Sequence, residues 1–466
     1  MPTAFRRKFI GDRAFYRMVI AIALPLVIQQ GITSFVTLLD NLMVGALGEQ
    51  SLSGVSIVNQ LIFVYNLAVF GGLSGASIFG AQFFGTGDWN GMRHTFRFRL
   101  LFGVITTIAA FGVFLVWGDS LALLFLENEN NSSEAVAATL AQARSYLRIA
   151  VWGLIPFVFS QIYTGLLRET GETVHPMISS VMAIFVNLVL NYCLIYGAFF
   201  FPEMGVAGAA LATVIARILE AIYIITYTHT HIRKYPFMEK AYSSLHIPAS
   251  LCRKIIVTGT PLMLNELLWS LGMTIISSNY AARGLSVVAA SNIASTAWNL
   301  FSIIMMAMGT VVSIMVGQQL GAGKIDEAKS VDNKLIFVTL VIHIIIGIAA
   351  FLTADLIPLL YDIEDSTRAL AASMLRIQGI VLPVHAFVHV AYFTIRSGGK
   401  TGVTFLFDCC YTWCVPVVLS FVLCRFTALP VITCYAIVQV SDLIKMGIAI
   451  PMLASGFWAK NIVGKE

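Results

Sequence analysis

Twelve apolar stretches run through this 466-residue chain, and each is long enough to cross a lipid bilayer as a helix. A transmembrane helix needs about 20 mostly apolar residues, because each residue adds about 1.5 Å along its axis. The stretches lie at residues 17–46, 52–83, 99–118, 146–167, 176–199, 207–229, 255–280, 286–318, 333–353, 370–394, 401–424 and 430–453. The sequence therefore predicts an all-α integral membrane protein with twelve transmembrane helices.

The amino-acid composition agrees with this prediction and excludes several classes of protein. Hydrophobic residues make up 58% of the chain and charged residues only 11%, whereas about a quarter of a soluble domain is charged. The net charge of +5 is small, and the basic residues form no single stripe of the kind that binds nucleic acid. We therefore expect a protein whose main partner is the lipid bilayer.

The charges between the stretches predict the orientation in the membrane. Alternate loops are basic: Arg6, Arg7, Lys8, Arg13 and Arg17 precede the first stretch, and further basic residues are Arg93, Arg97, Arg99, Arg233, Lys234, Lys240, Arg253, Lys254, Arg396, Lys400, Lys460 and Lys465. The intervening loops are acidic, with Asp119, Glu127, Glu129, Glu134, Asp355, Asp362, Glu364 and Asp365. Because basic loops stay in the cytoplasm, we expect both termini on that side.

The two halves of the chain repeat one another. A shift of 236 residues aligns Pro25 with Pro261 and the segment GAQFFGTGD with VGQQLGAGK. A shift of 228 aligns YLRI at 146–149 with MLRI at 374–377. The repeat predicts an N-lobe at 1–229, a cytoplasmic linker at 230–254 and a C-lobe at 255–466. Since each lobe has six helices, we expect a pseudo-two-fold axis along the membrane normal.

With these segments in view, the chain resembles the multidrug and toxic compound extrusion (MATE) family, of the bacterial type and nearest its DinF-like branch. The segments are LPLVIQQGITSFVTLLDNLMVGALG in the first span, GAQFFGTGD and GQQLGAGKIDEAK at two span ends, LRETGET, VNLVLNYCLIYG and GVAGAALATVIARILEA. The resemblance implies a multidrug antiporter of the bacterial cytoplasmic membrane. It also implies Pro25 as a hinge in the first helix.

Charged side chains inside spans are costly and mark candidate functional sites. Asp40 lies in the first span, and Asn187 and Asn191 lie one turn apart in the fifth, so that the two amides share a helix face. The resemblance implies that Asp40, Asn187, Asn191 and Thr213 bind the coupling ion, which is H⁺ or Na⁺. An aspartate replaces Asn191 in some members of the family, and its absence here weakens the case for tight Na⁺ binding.

The second half of the chain holds further candidates for a substrate or proton site. Glu266 and Trp269 lie in the seventh span, and Asp408 lies in the eleventh. His385 and His389 are four residues apart, so they share a helix face and are candidates for a proton relay. Two intraspan pairs at i, i+3 spacing, Arg217 with Glu220 and Asp442 with Lys445, are interpreted as structural.

These observations favour a secondary transporter over an enzyme. No ATP-binding loop or metal motif is present in the sequence, so we expect no cofactor and no metal site. The predicted function is export of small amphipathic, cationic compounds by alternating access, by a monomer. A lipid-linked saccharide flippase is the first alternative, although the intramembrane charges are mainly acidic. A membrane-embedded transferase is the second, although the cytoplasmic loops hold no paired carboxylates.

Overall fold

The computed structural model describes residues 8–126 and 132–464, and the described part is helical without β-strands. Several charges used to predict the orientation lie outside the described residues, namely Arg6, Arg7, Glu127, Glu129 and Lys465. Twelve helices within the described ranges are long and apolar enough to cross a membrane. This number confirms the predicted fold class.

We number the helices by span. They are α1 (Arg13–Gly45), α2 (Glu49–Thr86), α3 (Trp89–Leu126), α4 (Ser133–Glu169), α5 (Val174–Tyr196), α6 (Val206–Thr230), α7 (Ala249–Ala281), α8 (Leu285–Phe301 and Ile303–Gly321), α9 (Ile325–Leu352), α10 (Asp365–Ser397), α11 (Thr401–Phe426) and α12 (Val431–Ser455). Most extend beyond the predicted apolar stretches. Helical turns continue into the polar flanks, where hydropathy alone sees no span.

The helices fall into two compact units. The first unit consists of Ile28–Gly80 and Trp89–Arg253. The second unit consists of the described residues up to Val27, of Ala81–Asp88 and of the described residues from Lys254 onward. The first turns of α1 and the last turns of α2 thus group with the second half of the sequence. The six-helix lobes predicted from the repeat stay a prediction.

The first half of α1 shows how sequence spacing produces this grouping. Phe15, Val19, Ile22 and Leu26 recur every three to four residues and therefore form one helix face. That face is buried in one apolar cluster with α8 residues such as Val311. In lipid, where burial of apolar surface drives little association, close packing of such faces holds helices together.

The ends of α2 and α8 meet through the two copies of the repeated glycine motif. A Cβ atom on Gly85 would lie 2.0 Å from the Gln318 carbonyl oxygen, and one on Gly321 would lie 2.0 Å from that of Gln82. The contact is reciprocal, because each glycine touches the glutamine of the other copy. Glycine is required at both positions, since any side chain would overlap backbone atoms.

The segment between α6 and α7 is anchored to the first unit. The buried guanidinium of Arg97 on α3 donates hydrogen bonds to the carbonyl oxygens of Lys240, Ala241 and His246, at 2.9–3.2 Å. Three carbonyls satisfy the charged group where water is scarce. The predicted linker at 230–254 is therefore, over these residues, a docked segment.

Candidate functional site

A cavity of about 360 Å³ opens inside the unit formed by Ile28–Gly80 and Trp89–Arg253. Helices α1, α4, α5 and α6 line it, and its wall includes Asp40, Asn187 and Thr213. Each of these three side chains comes from a different helix. The cavity therefore gathers polar groups that are distant in sequence.

Asp40 is held by neutral amides. Asn191 Nδ2 donates a hydrogen bond to Asp40 Oδ1 at 2.8 Å and is also 3.2 Å from Asn187 Oδ1. Asn187 Nδ2 lies 3.2 Å from Thr213 Oγ1, and turning this amide over instead puts its nitrogen 3.1 Å from Asp40 Oδ2. All four residues predicted for the coupling site thus lie together. The buried Oδ1 of Asn191 has no hydrogen-bond partner within the described chain.

A second polar cluster lines the same cavity and was not predicted as a site. Arg217 and Glu220 form the expected i, i+3 ion pair at 2.9 Å, but both also face the cavity. Gln29 and Arg168 join them there. Two features of the sequence could have indicated this cluster, namely Arg168 in the segment LRETGET and Gln29 inside an apolar span. Neither feature shows which way the side chain points.

The second unit contains a network centred on Asp408. Lys445 Nζ lies 2.5 Å from Asp408 Oδ1, and Asn265 Nδ2 donates to Asp408 Oδ2 at 2.9 Å. Asp408 lies in a π-helical turn of α11, Leu406–Cys410. Such turns are rare and occur often at functional sites. Glu266 lies near Arg396, Asp408 and Tyr392.

The pairing predicted within α12 is wrong. Lys445 pairs with Asp408 on α11, while Asp442 Oδ2 lies 2.9 Å from His385 Nδ1 on α10. Residues three apart can reach each other on one helix, but here both point toward groups on neighbouring helices. Those partners satisfy the two charges instead.

The remaining candidates do not all join this network. His389 is half-buried and lies against Gly309, whose added Cβ would be 2.7 Å from its Nε2, and its ring packs near Phe393. Trp269 is 39% exposed on α7, and in the described structure it contributes no hydrogen bond to Asp408 or Lys445. The described residues also contain no group of three or more His, Cys, Asp or Glu side chains able to hold a metal ion.

Comparison with known proteins identifies the family. The family model described as MatE matches residues 25–193 and 261–422, which together make up well over half of the chain. The chain belongs to the MatE family. The two matched blocks fall in the two halves of the chain that the internal repeat relates, and the resemblance to MATE transporters is confirmed.

Relatives of this MatE protein are named as multidrug resistance proteins. It is 23% identical over 447 residues to the probable multidrug resistance protein NorM of Thermotoga maritima, covering 95% of this chain and 93% of that protein. It is 26% identical to the probable multidrug resistance protein YoeA of Bacillus subtilis, over 88% of this chain and 87% of that one. These relatives confirm that the MatE protein is a membrane transporter rather than an enzyme.

Solved structures show the same fold. A mutant of the Vibrio cholerae MATE transporter VcmN superposes with a TM-score of 0.83 at 16% identity, over 96% of this chain and 98% of that one. A multidrug resistance MATE family transporter in an outward-facing conformation superposes with a TM-score of 0.81 at 20% identity, over 96% and 97%. The MatE protein therefore has the fold of these transporters along nearly its whole length.

Proposed function

We propose that this MatE protein is a secondary antiporter that exports amphipathic organic cations in exchange for H⁺. The observation that carries the proposal is Asp40, a carboxylate inside a 360 Å³ cavity with Asn187, Asn191 and Thr213 around it. The names of its relatives, which are probable multidrug resistance proteins, support the substrate class. The transporter acts as a monomer in a bacterial cytoplasmic membrane, with both termini in the cytoplasm.

The hydrogen bonds at Asp40 favour H⁺ over Na⁺ as the coupling ion. A bound Na⁺ needs several oxygen atoms turned toward it, whereas Asn191 turns its N–H group to the carboxylate. A proton bound at Asp40 can replace the positive charge of a substrate without any rearrangement of ligands. Asparagine rather than aspartate at position 191 also favours H⁺ over Na⁺, because the site has one negative charge fewer to attract Na⁺.

The exchange follows from competition for one carboxylate. Ionised Asp40 attracts a cationic substrate in the cavity, and protonation removes that attraction, so the substrate leaves. Transport is coupled only if proton and substrate favour different states, because a ligand with equal affinity for both states shifts nothing. The α1 helix carries Pro25 inside it, and the missing backbone hydrogen bond makes that turn a candidate hinge.

Dye uptake into everted membrane vesicles tests this function. A fluorescent organic cation is followed under an imposed pH gradient, and then under an imposed Na⁺ gradient, for wild type and Asp40→Asn. We expect uptake driven by the pH gradient, and a loss of at least about tenfold in the variant, because an amide cannot exchange a proton.

Asp119→Asn provides the matched control. Asp119 pairs with Arg144 on the exposed surface, where its side chain is 50% exposed, so this substitution should leave uptake unchanged. Uptake driven by Na⁺ alone would contradict H⁺ coupling. No gradient-driven uptake of several cations by folded protein would contradict drug export and favour the flippase alternative.

A further inference from the structure

The cavity that contains Asp40 has a second, oppositely charged end. Gln29 lies eleven residues before Asp40 on α1, and Ser180 lies eleven residues before Asn191 on α5. Gln29 Nε2 donates to Ser180 Oγ at 2.7 Å, just as Asn191 donates to Asp40. At about 1.5 Å per residue, both helices place the two clusters roughly 16 Å apart.

The far cluster carries a surplus positive charge. Arg217 Nη1 donates to Glu220 Oε2 at 2.9 Å, and Ser180 Oγ donates to Glu220 Oε1 at 2.7 Å. Arg168 Nη2 donates only to the neutral amide of Gln29, at 2.9 Å, and its buried Nε has no hydrogen-bond partner in the described structure. Two guanidinium groups therefore face one carboxylate.

The charges that line the cavity cancel overall, but the negative and positive charges are separated between its two ends. Its described lining includes four charged side chains, Asp40 and Glu220 against Arg168 and Arg217. The Asp40 end has one net negative charge, and the far end has one net positive charge. The lining also includes the apolar side chains of Phe157 and Ile184, and the Arg217 guanidinium lies over the Phe157 ring at 5.0 Å.

We propose that this cavity selects zwitterionic amphiphiles, with the cationic group at Asp40 and a carboxylate at Arg168. The proposal rests on the function proposed above and narrows its substrate class. A guanidinium offers a planar fork of donors that matches a carboxylate, and Arg168 lines the cavity without an ion-pair partner within 4 Å among the described residues. A substrate with both charges satisfies both ends of the cavity, whereas a simple cation leaves Arg168 uncompensated.

A pair of dyes that differ only at the carboxylate tests this selectivity. The probes are a rhodamine-type dye with a free carboxylate and its methyl ester, which is a simple cation of nearly the same shape. Fluorescence anisotropy with the full-length protein in nanodiscs gives both Kd values. We expect wild type to bind the zwitterion at least about tenfold more tightly than the ester, and Arg168→Gln to reduce that ratio about tenfold, since a charge-assisted hydrogen bond is lost.

Two further variants and one control separate the effect of charge from an effect on folding. Arg168→Lys keeps the positive charge and should keep most of the preference. Gln29→Glu places a negative charge against Arg168 and should abolish the preference even if Arg168→Gln fails to fold. Arg144→Gln removes an exposed arginine whose side chain is 46% exposed, and it should leave the ratio unchanged.

Failure of this inference can be told apart from failure of the proposed function. A wild-type ratio near one, or a ratio unchanged in both Arg168→Gln and Gln29→Glu, would overturn the zwitterion proposal. Ester binding that still depends on Asp40 would then leave drug export standing. If Asp40→Asn, correctly folded, binds both dyes as wild type does, the proposed site itself is wrong.

Discussion

At the residue scale, the two candidate aspartates differ in what neutralises them. Asp408 forms an ion pair with Lys445 and accepts a hydrogen bond from Asn265. Its negative charge is therefore already neutralised by a side chain of the protein. Asp40 has only amide donors near it, and it forms no ion pair within the described residues. A carboxylate without an internal counter-ion is free to bind a proton or a substrate cation, which is why we propose the coupling role for Asp40.

The Asp408–Lys445 pair should stabilise the fold mainly because each buried charge neutralises the other. The two side chains are only 17% and 7% exposed, and removing one partner of a buried pair leaves an uncompensated charge that costs about 3–5 kcal/mol. We expect Lys445→Met to lower the thermal unfolding midpoint in detergent, and the double variant Lys445→Met with Asp408→Asn to recover part of the loss.

The matched control for this prediction is Lys324→Met. Lys324 pairs with Glu327 on the surface, and both side chains are more than half exposed, so the pair contributes at most about 1 kcal/mol. Its loss should barely move the midpoint. Strictly additive losses in the double variant would show that Lys445 and Asp408 do not compensate each other.

At the element scale, the repeated glycine motif fixes how closely α2 and α8 approach. The two helix ends touch backbone to backbone at Gly85 and Gly321. The Gln82 side chain, which is fully buried, then donates to the Ser397 carbonyl at 2.9 Å and accepts from the Ile462 amide at 2.8 Å. The motif thus brings together helix ends from both halves of the sequence and the C-terminal segment.

Adding one methyl group at this crossing should be destabilising. Gly85→Ala or Gly321→Ala would place a Cβ 2.0 Å from a carbonyl oxygen, and overpacking of this kind typically costs about 1–3 kcal/mol. We expect a lower thermal unfolding midpoint for each variant. Gly112→Ala is the control: Gly112 lies in an exposed part of α3 with no atom within 4 Å of an added Cβ. Equal midpoints for the three variants would refute the close crossing.

At the scale of the whole molecule, loop charge predicts how the chain is threaded through the membrane. An even number of spans, such as the twelve found among the described residues, returns the end of the chain to the side on which it began. The basic residues Arg93, Arg97 and Lys234 belong to loops or helix ends on that same side. From the positive-inside rule we expect that side to be cytoplasmic.

Reporter fusions test this orientation. Green fluorescent protein fused after the C-terminus should fluoresce in cells, because it folds in the cytoplasm. Alkaline phosphatase inserted after Leu126, at the end of α3, should be active, because it requires export. The control insertion, after Gly171 between α4 and α5, should be inactive. The reverse pattern would invert the topology and place Arg168 at the outer side.

The sequence by itself determined the helices, their number and the repeated anchors. Lipid leaves a backbone few choices, so a run of about 20 apolar residues is enough to predict a span. The residues around Asp40 could also be predicted from the sequence. Asn187 and Asn191 are one turn apart on a single helix, and the family resemblance implied Thr213.

Only the tertiary structure decided which charges meet. Lys445 faces Asp408 rather than Asp442, and Arg168 lines the same cavity as Asp40 although 128 positions separate them in the numbering. Spacing along one helix states which residues share a face, but not which neighbouring helix that face meets. The polarised cavity arises from four helices packed together, and for that physical reason no single segment of the sequence contains it.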